Sequence, residues 1–424
     1  MSALVRRWRD DACVVLPRFA GTFGTSGASA ALGVVSGTVA ARVLAPSGRG
    51  DLALLLLWPQ LVVTLGNLSV EAAATYLSAD PRRRRDVPAT TLALSALQSL
   101  ALVAVYLTLV PFVFDGHLRR DALLMVPLIP LYLAGACAID VLAGRLRFVA
   151  FNVVRITLPV LYCAAIVALA IADALTPMTG ALAYLAAHAC ADALAVALVR
   201  ADGGLGRVDR ALAKEALHYG ARAHIGRLAP QALGLDTALV SLALSSHDVG
   251  LYSAATAFLA APNLVASSVG MVVFPHVSAA RRTGASAQLG ATFVLHTAAV
   301  VACALALIVA ARPAVVLLFG DDYAGAVTPL RILALASVPL SLRVFPMEVL
   351  RGLGRPGLAS IAQVADWALF LALIPLGARA GGIAGAATGL AFAAGLSLAV
   401  LALLIRQTDA LAARERAQAL LEAA

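Results

Sequence analysis

Five arginines stand out because they lie within or at the ends of long apolar stretches. Arg222, Arg227 and Arg343 lie inside such stretches, and Arg18 and Arg42 lie at the two ends of another. An arginine at the centre of a bilayer costs about 3 kcal/mol on insertion scales, so it normally faces a protein-lined cavity that holds water. Because a guanidinium stays charged and binds phosphate oxygens with a planar fork, these residues predict an anionic cargo.

Three of these arginines have a second interpretation. Arg18, Arg42 and Arg222 lie near predicted helix ends, from which a long side chain can reach the membrane surface without any ligand. Arg227 and Arg343 lie deeper, so the pattern favours cargo contact for them. The sequence leaves both interpretations open for the first three.

Carboxylates in the apolar stretches form a second group. Asp236 and Asp366 lie in two later stretches, where a carboxylate can carry a proton or bind an ion. The alternative is a salt bridge to a neighbouring arginine. Glu348 and Arg351 are three residues apart, which places them on one helix face and predicts a structural ion pair.

The composition indicates what kind of elements position these residues. Of the 424 residues, 61% are hydrophobic and 13% are charged, whereas a soluble protein carries about 25% charged residues. The apolar runs are long and unbroken, unlike the short alternating segments of a membrane β-barrel. The sequence therefore predicts an all-α polytopic membrane protein.

About twelve apolar segments have the roughly 20 residues that a spanning helix needs. They are 19–44, 51–79, 88–114, 122–144, 152–175, 178–199, 217–245, 249–278, 289–311, 324–351, 358–378 and 382–406. Arginines concentrate in alternate loops, which follows the positive-inside rule and predicts that both termini are cytoplasmic. The net charge of +9 therefore reflects membrane topology, and no nucleic acid is expected as a partner because the cations do not share one polar face.

The most polar inner loop, residues 201–216, is predicted to be a cytoplasmic linker. It divides the chain into an N-terminal lobe, residues 1–200, and a C-terminal lobe, residues 217–424, with six helices each. Because six is an even number, the two lobes would be parallel repeats about an axis along the membrane normal.

Signals for an enzyme are poor. The seven histidines are scattered without metal-ligand spacing, and the glycine-rich turns lack the strand and helix of a nucleotide-binding loop. The five cysteines include no CxxC pair, so neither a disulfide nor a zinc site is predicted. We therefore expect a transporter with no catalytic residues.

Three stretches of the chain resemble a known family. They are ARVLAPSGRGDLALLLLWPQLVVTLGNLSVEAAATYL from Ala41 to Leu77, LDTALVSLALSSHDVGLYSAATAF from Leu235 to Phe258, and FGDDYAGAVTPLRILAL from Phe319 to Leu335, followed by LRGLGRPGLAS from Leu350 to Ser360. Their order and spacing resemble the Wzx-type polysaccharide and O-antigen flippases of the multidrug/oligosaccharidyl-lipid/polysaccharide exporter superfamily. The resemblance covers nearly the whole chain.

The resemblance implies two six-helix bundles that form a V-shaped central cavity. It implies alternating-access movement of an oligosaccharide on undecaprenyl diphosphate across the bacterial cytoplasmic membrane, for surface polysaccharide. Arg18 and Arg222 would then lie at the inner mouth, Arg227 and Arg343 deeper, and Arg42 at the outer end. The flippase would be a monomer among membrane lipids and would work with a polymerase or glycosyltransferases.

The resemblance also bears on ion coupling. In the related lipid II flippases, acidic residues on the seventh and eleventh helices help to form a sodium site, and Asp236 and Asp366 lie on those helices here. Gln363 lies one turn before Asp366, where that pattern prefers Asn four residues before. Coupling to a sodium or proton gradient through Asp236, Gln363 and Asp366 is expected, with the ion left open. No other metal or cofactor is expected.

Three other functions remain as alternatives. A lipid II flippase often has additional helices beyond twelve, and a drug/cation antiporter of the same superfamily would prefer an acidic cavity. An integral-membrane polysaccharide polymerase or ligase usually needs a large outer loop for its catalytic groups, and the predicted outer loops are short. The arginines weigh against the antiporter, the count of about twelve helices against the lipid II flippase, and the short outer loops against the polymerase or ligase.

Overall fold

The computed structural model describes residues 2–228, 234–283, 289–353 and 355–422. Within these ranges the chain forms helices and no β-strand, which confirms the predicted all-α class. The helices are α1 Ser2–Gly66, α2 Val70–Ser78, α3 Val87–Val113, α4 Gly116–Leu124, α5 Leu128–Gly144, α6 Phe148–Ile171, α7 Pro177–Ala201, α8 Arg210–Arg227, α9 Leu235–Ser241, α10 Ser246–Ala257, α11 Ala260–Thr283, α12 Gly290–Phe319, a 3-10 turn Asp321–Ala326, α13 Val327–Leu342, α14 Val344–Gly352 and α15 Pro356–Glu422.

The chain divides into two compact units, Met1–Arg227 and Leu228–Ala424. In the first unit α1 packs on α6, α6 on α7, and α5 on α2, α3 and α7. In the second unit α13 packs on α12 and α15, α11 on α14, and α9 on α15. The organisation into two six-helix repeats stays a prediction.

The predicted linker, residues 201–216, is shorter in the structure. Only residues 202–209 are irregular, and α8 begins at Arg210. The following sequence, ALAKEAL, consists of good helix formers, so the helix extends into the segment that was assigned to the linker from its charge. Helix α8 packs on α2 and α3 within the first unit.

The described residues contain eight helical segments that are long and apolar enough to cross a membrane, or nine if the bent pair α10 and α11 is one crossing. The chain is thus a multi-pass membrane protein. Two of the eight segments, Gly24–Gly66 and Gly357–Arg406, have 43 and 50 residues, about twice the length of one crossing. Each contains a kink. Gly357–Arg406 covers two predicted segments, and Gly24–Gly66 covers parts of two. The total of twelve spans stays a prediction.

The kink in α15 lies at two glycines. Gly381 and Gly382 leave the helical conformation, and Gly382 has a φ of 59°, which an L side chain rarely adopts. Before and after the kink, Gly377 and Gly385 approach so closely that a Cβ on either would collide with the other's backbone. The two legs of α15 therefore pack against each other through small residues, as membrane helices commonly do.

The kink in α1 lies at Ala45, with φ 56° and ψ 177°. Beyond it, Arg49 Nη1 donates a hydrogen bond to the carbonyl oxygen of Gly37 at 2.6 Å. A straight helix would separate these two residues by about 18 Å along its axis. The structure therefore confirms the boundary between the first two predicted segments.

Three predicted inner loops meet at one end of the first unit. The carboxylate of Asp202, after α7, pairs with Arg84 before α3 and with Arg145 and Arg147 between α5 and α6. Loops on one side of a membrane must lie at one end of a bundle, and these three loops meet that requirement. That this side is cytoplasmic stays a prediction.

Candidate functional site

The second unit contains a buried ion pair that combines two predicted site residues. Arg343, between α13 and α14, is 2% exposed, and Asp366 in α15 is 0% exposed. Nη1 of Arg343 contacts Oδ2 of Asp366 directly. The packing of α13 against α15 brings the two charges together, which is the salt-bridge alternative that the sequence left open for Asp366.

Two further side chains bind the same carboxylate. Gln363, one helical turn earlier, donates from Nε2 to Oδ2 of Asp366 at 3.3 Å. The hydroxyl of Ser397, on the second leg of α15, donates to Oδ1. The predicted pair of Gln363 and Asp366 is thus one cluster, but Arg343 already supplies its positive charge. An ion that bound both oxygens of Asp366 would have to displace this guanidinium.

The guanidinium of Arg343 is only partly satisfied. Its Nε and Nη2 are buried and have no hydrogen-bond partner among the described residues. These two nitrogens form one edge of the guanidinium plane, which is the geometry that binds two oxygens of a phosphate or carboxylate together. Buried donors without partners are rare, so this open edge is the feature of the cluster that a ligand would complete.

Asp236 lies apart from these hydrogen bonds. It is buried at the start of α9, and its Oδ2 accepts a hydrogen bond from the hydroxyl of Tyr252 at 3.2 Å. Helix α9 packs on α15, so the two predicted coupling aspartates are on neighbouring helices. The side chain that contacts the Asp236 carboxylate is a neutral tyrosine, whereas the one that pairs with Asp366 is an arginine.

Helix α8 presents basic residues along one face. Its buried positions recur every fourth residue, at Leu212, Ala216, Gly220 and His224. Between them lies a ridge of exposed basic or titratable side chains, also four residues apart, which we call the α8 basic ridge. It consists of Arg210, Lys214, His218 and Arg222. The ridge is about 18 Å long, from its twelve-residue span and the helical rise.

Packing explains why the ridge is exposed. His224 contacts the carbonyl oxygen of Leu65 and the hydroxyl of Ser69, both at 3.0 Å, and Gly220 lies against the backbone of Leu68. Arg222 is two residues from each of these contact residues, which is about 200° around the helix. It therefore points away from α2, and its Nη1 lies 3.5 Å from Nε2 of His218.

Fewer structural details are described for the other predicted arginines. Arg42 is exposed in α1, one turn before the kink at Ala45. Arg18 lies in α1 and Arg227 at the end of α8, but the side chains of both lie outside the described residues. Their predicted role in cargo binding therefore stays a prediction, as it does for Arg42, Arg222 and Arg343.

The structural pair predicted on one helix face is confirmed. Nη1 of Arg351 donates to Oε1 of Glu348 at 2.6 Å. The sequence missed Ser397, however. A serine in an apolar helix carries no signal of a distant partner, because only the packing of the two legs of α15 brings it to Asp366.

The fold is that of multi-pass membrane transporters. The chain is similar to an inward-facing multidrug resistance MATE family transporter of the MOP superfamily, with 13% identity, a TM-score of 0.71, and coverage of 90% of this chain and 95% of that one. It is similar to the lipid II flippase MurJ in an inward closed conformation, with 12% identity, a TM-score of 0.74, and coverage of 91% and 87%. It is also similar to a mutant of the Vibrio cholerae MATE transporter VcmN, with 15% identity, a TM-score of 0.58, and coverage of 92% and 95%.

The sequence match is to a more specific family. A family model described as polysaccharide biosynthesis protein matches residues 21–281, which is more than half of the 424 residues. The chain therefore belongs to the polysaccharide biosynthesis protein family, in agreement with the resemblance to Wzx-type flippases. A comparison with curated protein sequences finds no match.

Proposed function

We propose that this protein is an alternating-access flippase that moves an undecaprenyl diphosphate-linked oligosaccharide across the bacterial cytoplasmic membrane for surface polysaccharide. Family membership supports the polysaccharide assignment, and the transporter fold supports a transport role. Both termini would be cytoplasmic. The protein would act as a monomer, with a polymerase or glycosyltransferases supplying and using its cargo.

The open edge of Arg343 carries the proposal. Its Nε and Nη2 are buried donors without a partner among the described residues, while Nη1 stays with Asp366. A diphosphate oxygen pair could bind this edge without breaking the ion pair. Because water is largely excluded there, such charge-assisted hydrogen bonds would be stronger than on a surface.

The α8 basic ridge supports the same cargo. Arg210, Lys214, His218 and Arg222 offer successive sites to a phosphate that moves along the helix. Exposed cations attract an anion and also release it easily, because the surrounding water weakens each ion pair. Arg222 would then be an entry site and Arg343 a deeper site, with Arg18, Arg42 and Arg227 as further candidates.

Coupling would act through the carboxylate cluster. A sodium ion or proton that reached Asp366 would compete with Arg343 for the carboxylate. Competition of this kind would loosen Arg343 and change its affinity for phosphate, which links ion binding to cargo binding. Asp236, with its Tyr252 partner, and Gln363 would be the other members of this coupling group.

The similarity to MATE transporters and MurJ keeps two alternatives open. A cationic drug would be repelled by the basic ridge and by the open donor edge of Arg343. Lipid II also carries a diphosphate, so the arginines do not separate it from a lipid-linked oligosaccharide. Family membership favours the oligosaccharide, and the transport assay must compare the two lipids directly.

A flipping assay tests the proposal. The protein is placed in proteoliposomes with fluorescent undecaprenyl diphosphate-linked oligosaccharide, and a membrane-impermeant quencher reports the fraction in the outer leaflet. Wild type should flip this lipid, and should flip lipid II and a fluorescent organic cation more slowly. Equal or faster transport of the organic cation would contradict the proposal. Faster transport of lipid II would identify lipid II as the cargo in place of the oligosaccharide lipid.

The decisive variant is Arg343→Lys. Lysine keeps a cation beside Asp366 but lacks the Nε and Nη2 edge, so flipping should fall at least about tenfold while the protein stays folded. Arg351→Lys, which changes an arginine paired with Glu348, is the matched control and should keep its rate. If Arg343→Lys flips the lipid at the wild-type rate, the Nε and Nη2 edge has no part in the mechanism.

A further inference from the structure

An apolar groove of about 650 Å³ lies on the first unit, beside the cluster that joins its three loops. Its walls come from the end of α5, the turn that follows, the start of α6 and the end of α7. The apolar side chains that line it include Leu142, Leu146, Phe148, Val149, Val153 and Leu198. Val149 is 81% exposed and Leu146 is 61% exposed, so the groove opens outward from the helices. On a membrane protein, such an apolar surface is a site of contact with lipid.

The backbone at Leu146 is strained in a way that presents its side chain to the groove. Leu146 ends α5 in the left-handed region, with a φ of 58°. The next N–H, of Arg147, donates to the carbonyl oxygen of Leu142 at 2.9 Å. Helices usually place glycine at this position, because a side chain disfavours the conformation. Strain of this kind is kept where the residue serves a function, and here the side chain forms one wall of the groove.

One end of the groove is charged. Of the lining residues, Arg147 and Asp202 carry a formal charge. Oδ1 of Asp202 pairs with Arg147, and its Oδ2 pairs with two more guanidinium groups, those of Arg84 and Arg145. Three arginines therefore share one carboxylate, which leaves the cluster with a net positive charge. The side chain of Asp202 is 10% exposed and that of Arg147 is 58% exposed, so the charge presented at this end of the groove is positive.

A second apolar groove lacks this charge. It has a volume of about 500 Å³ and lies on α15 in the second unit. Its lining residues are Leu373, Ala391, Phe392, Gly395 and Leu396. They can contact an apolar chain, but they offer nothing that selects a headgroup. The groove on the first unit combines an apolar wall with a positive end.

This combination identifies the chemistry of a ligand. An anionic phospholipid has an apolar chain that matches the wall and a phosphodiester that matches the guanidinium. A zwitterionic lipid has a cation close to its phosphate, which the arginines disfavour. Basic pockets between membrane helices bind anionic headgroups, and the cytoplasmic leaflet, on the side predicted for these loops, is rich in them.

We propose that this groove binds one anionic phospholipid, with an acyl chain along Leu146 and Val149 and its phosphate at the guanidinium of Arg147. The bound lipid contacts α5, α6 and α7 at the end where the loops meet. The site is distinct from the Arg343 cluster, which lies in the second unit. The proposal does not depend on the identity of the cargo.

Native mass spectrometry of the full chain in detergent tests the site without any transport. The protein is offered equal amounts of phosphatidylglycerol and phosphatidylcholine with the same acyl chains. The first lipid that wild type retains should be phosphatidylglycerol, with a preference of about tenfold, because one hydrogen bond to a charged group supplies about this ratio. Equal retention of the two lipids would overturn the proposal.

A matched pair of variants locates the effect. Arg147→Gln removes the cation that lines the groove, so the preference for phosphatidylglycerol should vanish. Asp202 keeps Arg84 and Arg145 as partners in this variant, so the loops stay joined. Arg82→Gln removes an exposed cation of a neighbouring loop that does not line the groove, and it should keep the preference. An equal loss in both variants would indicate a general attraction to surface charge and overturn the site.

A third variant tests the apolar wall. Glycine adopts a φ of 58° readily, so Leu146→Gly should keep its Tm in lipid-free detergent but retain several-fold less phosphatidylglycerol. Wild-type retention by Leu146→Gly would overturn the site, and this variant decides if Arg147→Gln does not fold.

Two competitors identify the source of the phosphate. Glycerol phosphate has the headgroup chemistry without chains, and undecaprenyl phosphate represents the cargo lipid. Neither should displace phosphatidylglycerol from wild type when it is added at the same concentration. Displacement by glycerol phosphate would reduce the site to an anion site, and displacement by undecaprenyl phosphate would assign it to the cargo; either result would overturn the proposal.

Discussion

Each unit contains a buried arginine that is paired with an aspartate, and the two pairs are built differently. Arg145 in the first unit shares Asp202 with Arg84 and Arg147, and its two terminal nitrogens also donate to main-chain oxygens of Val199 and Arg84. Arg343 in the second unit has Asp366 as its described partner and leaves two nitrogens open.

The difference fits a structural role for Arg145 and the ligand-binding role that we propose for Arg343. Arg145 joins three loops at the end of its unit, where Asp202 is 10% exposed and Arg147 is 58% exposed. Only its Nε lacks a partner among the described residues. Arg343 has the opposite arrangement, with one nitrogen in the ion pair and an open edge. A buried arginine alone does not indicate a ligand, and the proposed binding rests instead on the two unpartnered nitrogens that share one edge of Arg343.

The largest expected effect comes from breaking the Arg343 pair. Asp366→Ala should lower the free energy of unfolding by about 3–5 kcal/mol, because it leaves a buried charge without its partner. The measurement is thermal or denaturant unfolding in nanodiscs. The double variant Arg343→Met with Asp366→Leu should recover most of the loss, and an equally unstable double variant would show that the pair is not the cause.

A smaller effect is expected at the cluster of the first unit. Asp202→Asn should lower the free energy of unfolding by about 1–3 kcal/mol, since Arg145 loses its charged partner but keeps its bonds to main-chain oxygens. The same unfolding assay measures it. A loss as large as that of Asp366→Ala would contradict the comparison between the two pairs.

Acid should affect the same cluster. Burial alone would raise the pKa of Asp202, but hydrogen bonds and charge from Arg147 and Arg84 outweigh it and leave the pKa below its ordinary value. A carboxylate with a lowered pKa stabilises the fold above its unfolded pKa of about 3.9, and this contribution is lost as pH falls through the lower folded value. As the pH falls below 5, the Tm of wild type should therefore decrease more than the Tm of Asp202→Asn. Equal slopes of Tm against pH for the two proteins would contradict this.

The smallest effect is expected at an exposed pair of the same unit. Arg83 Nη1 lies 2.5 Å from Glu215 on α8, and both side chains are more than 40% exposed. The neighbouring carboxylate raises the pKa of Arg83, but water and salt screen such pairs. Glu215→Gln should leave Tm unchanged in 0.15 M salt, and a clear decrease would mean that this contact holds α8 in place.

Much of the fold follows from local sequence patterns. Hydropathy identified an all-helical membrane protein, and the kinks at Ala45 and at Gly381–Gly382 fall at or near boundaries between predicted segments. The segment 217–245 was predicted as one span. The structure describes the end of α8 and all of α9 within it, and residues 229–233 lie outside the described residues, so the single span stays a prediction.

The candidate site followed from sequence only in part. Arg343, Gln363 and Asp366 were each identified from their polar side chains in apolar segments. They were assigned to two functions, phosphate binding and ion coupling, although the structure joins them in one cluster. Sequence spacing relates residues on one helix, whereas Arg343 and Asp366 lie on different helices.

By itself the sequence determined the class of protein, because insertion in a membrane depends on local apolar length and on the charges of the loops. It also determined which charges lie in apolar segments. The tertiary structure alone decided which charges meet. Close packing at glycines such as Gly377 and Gly385 fixes how the two legs of α15 approach, and this packing brings Ser397 to Asp366. The packing of α13 on α15 places Arg343 beside the same carboxylate, with two of its nitrogens unpartnered.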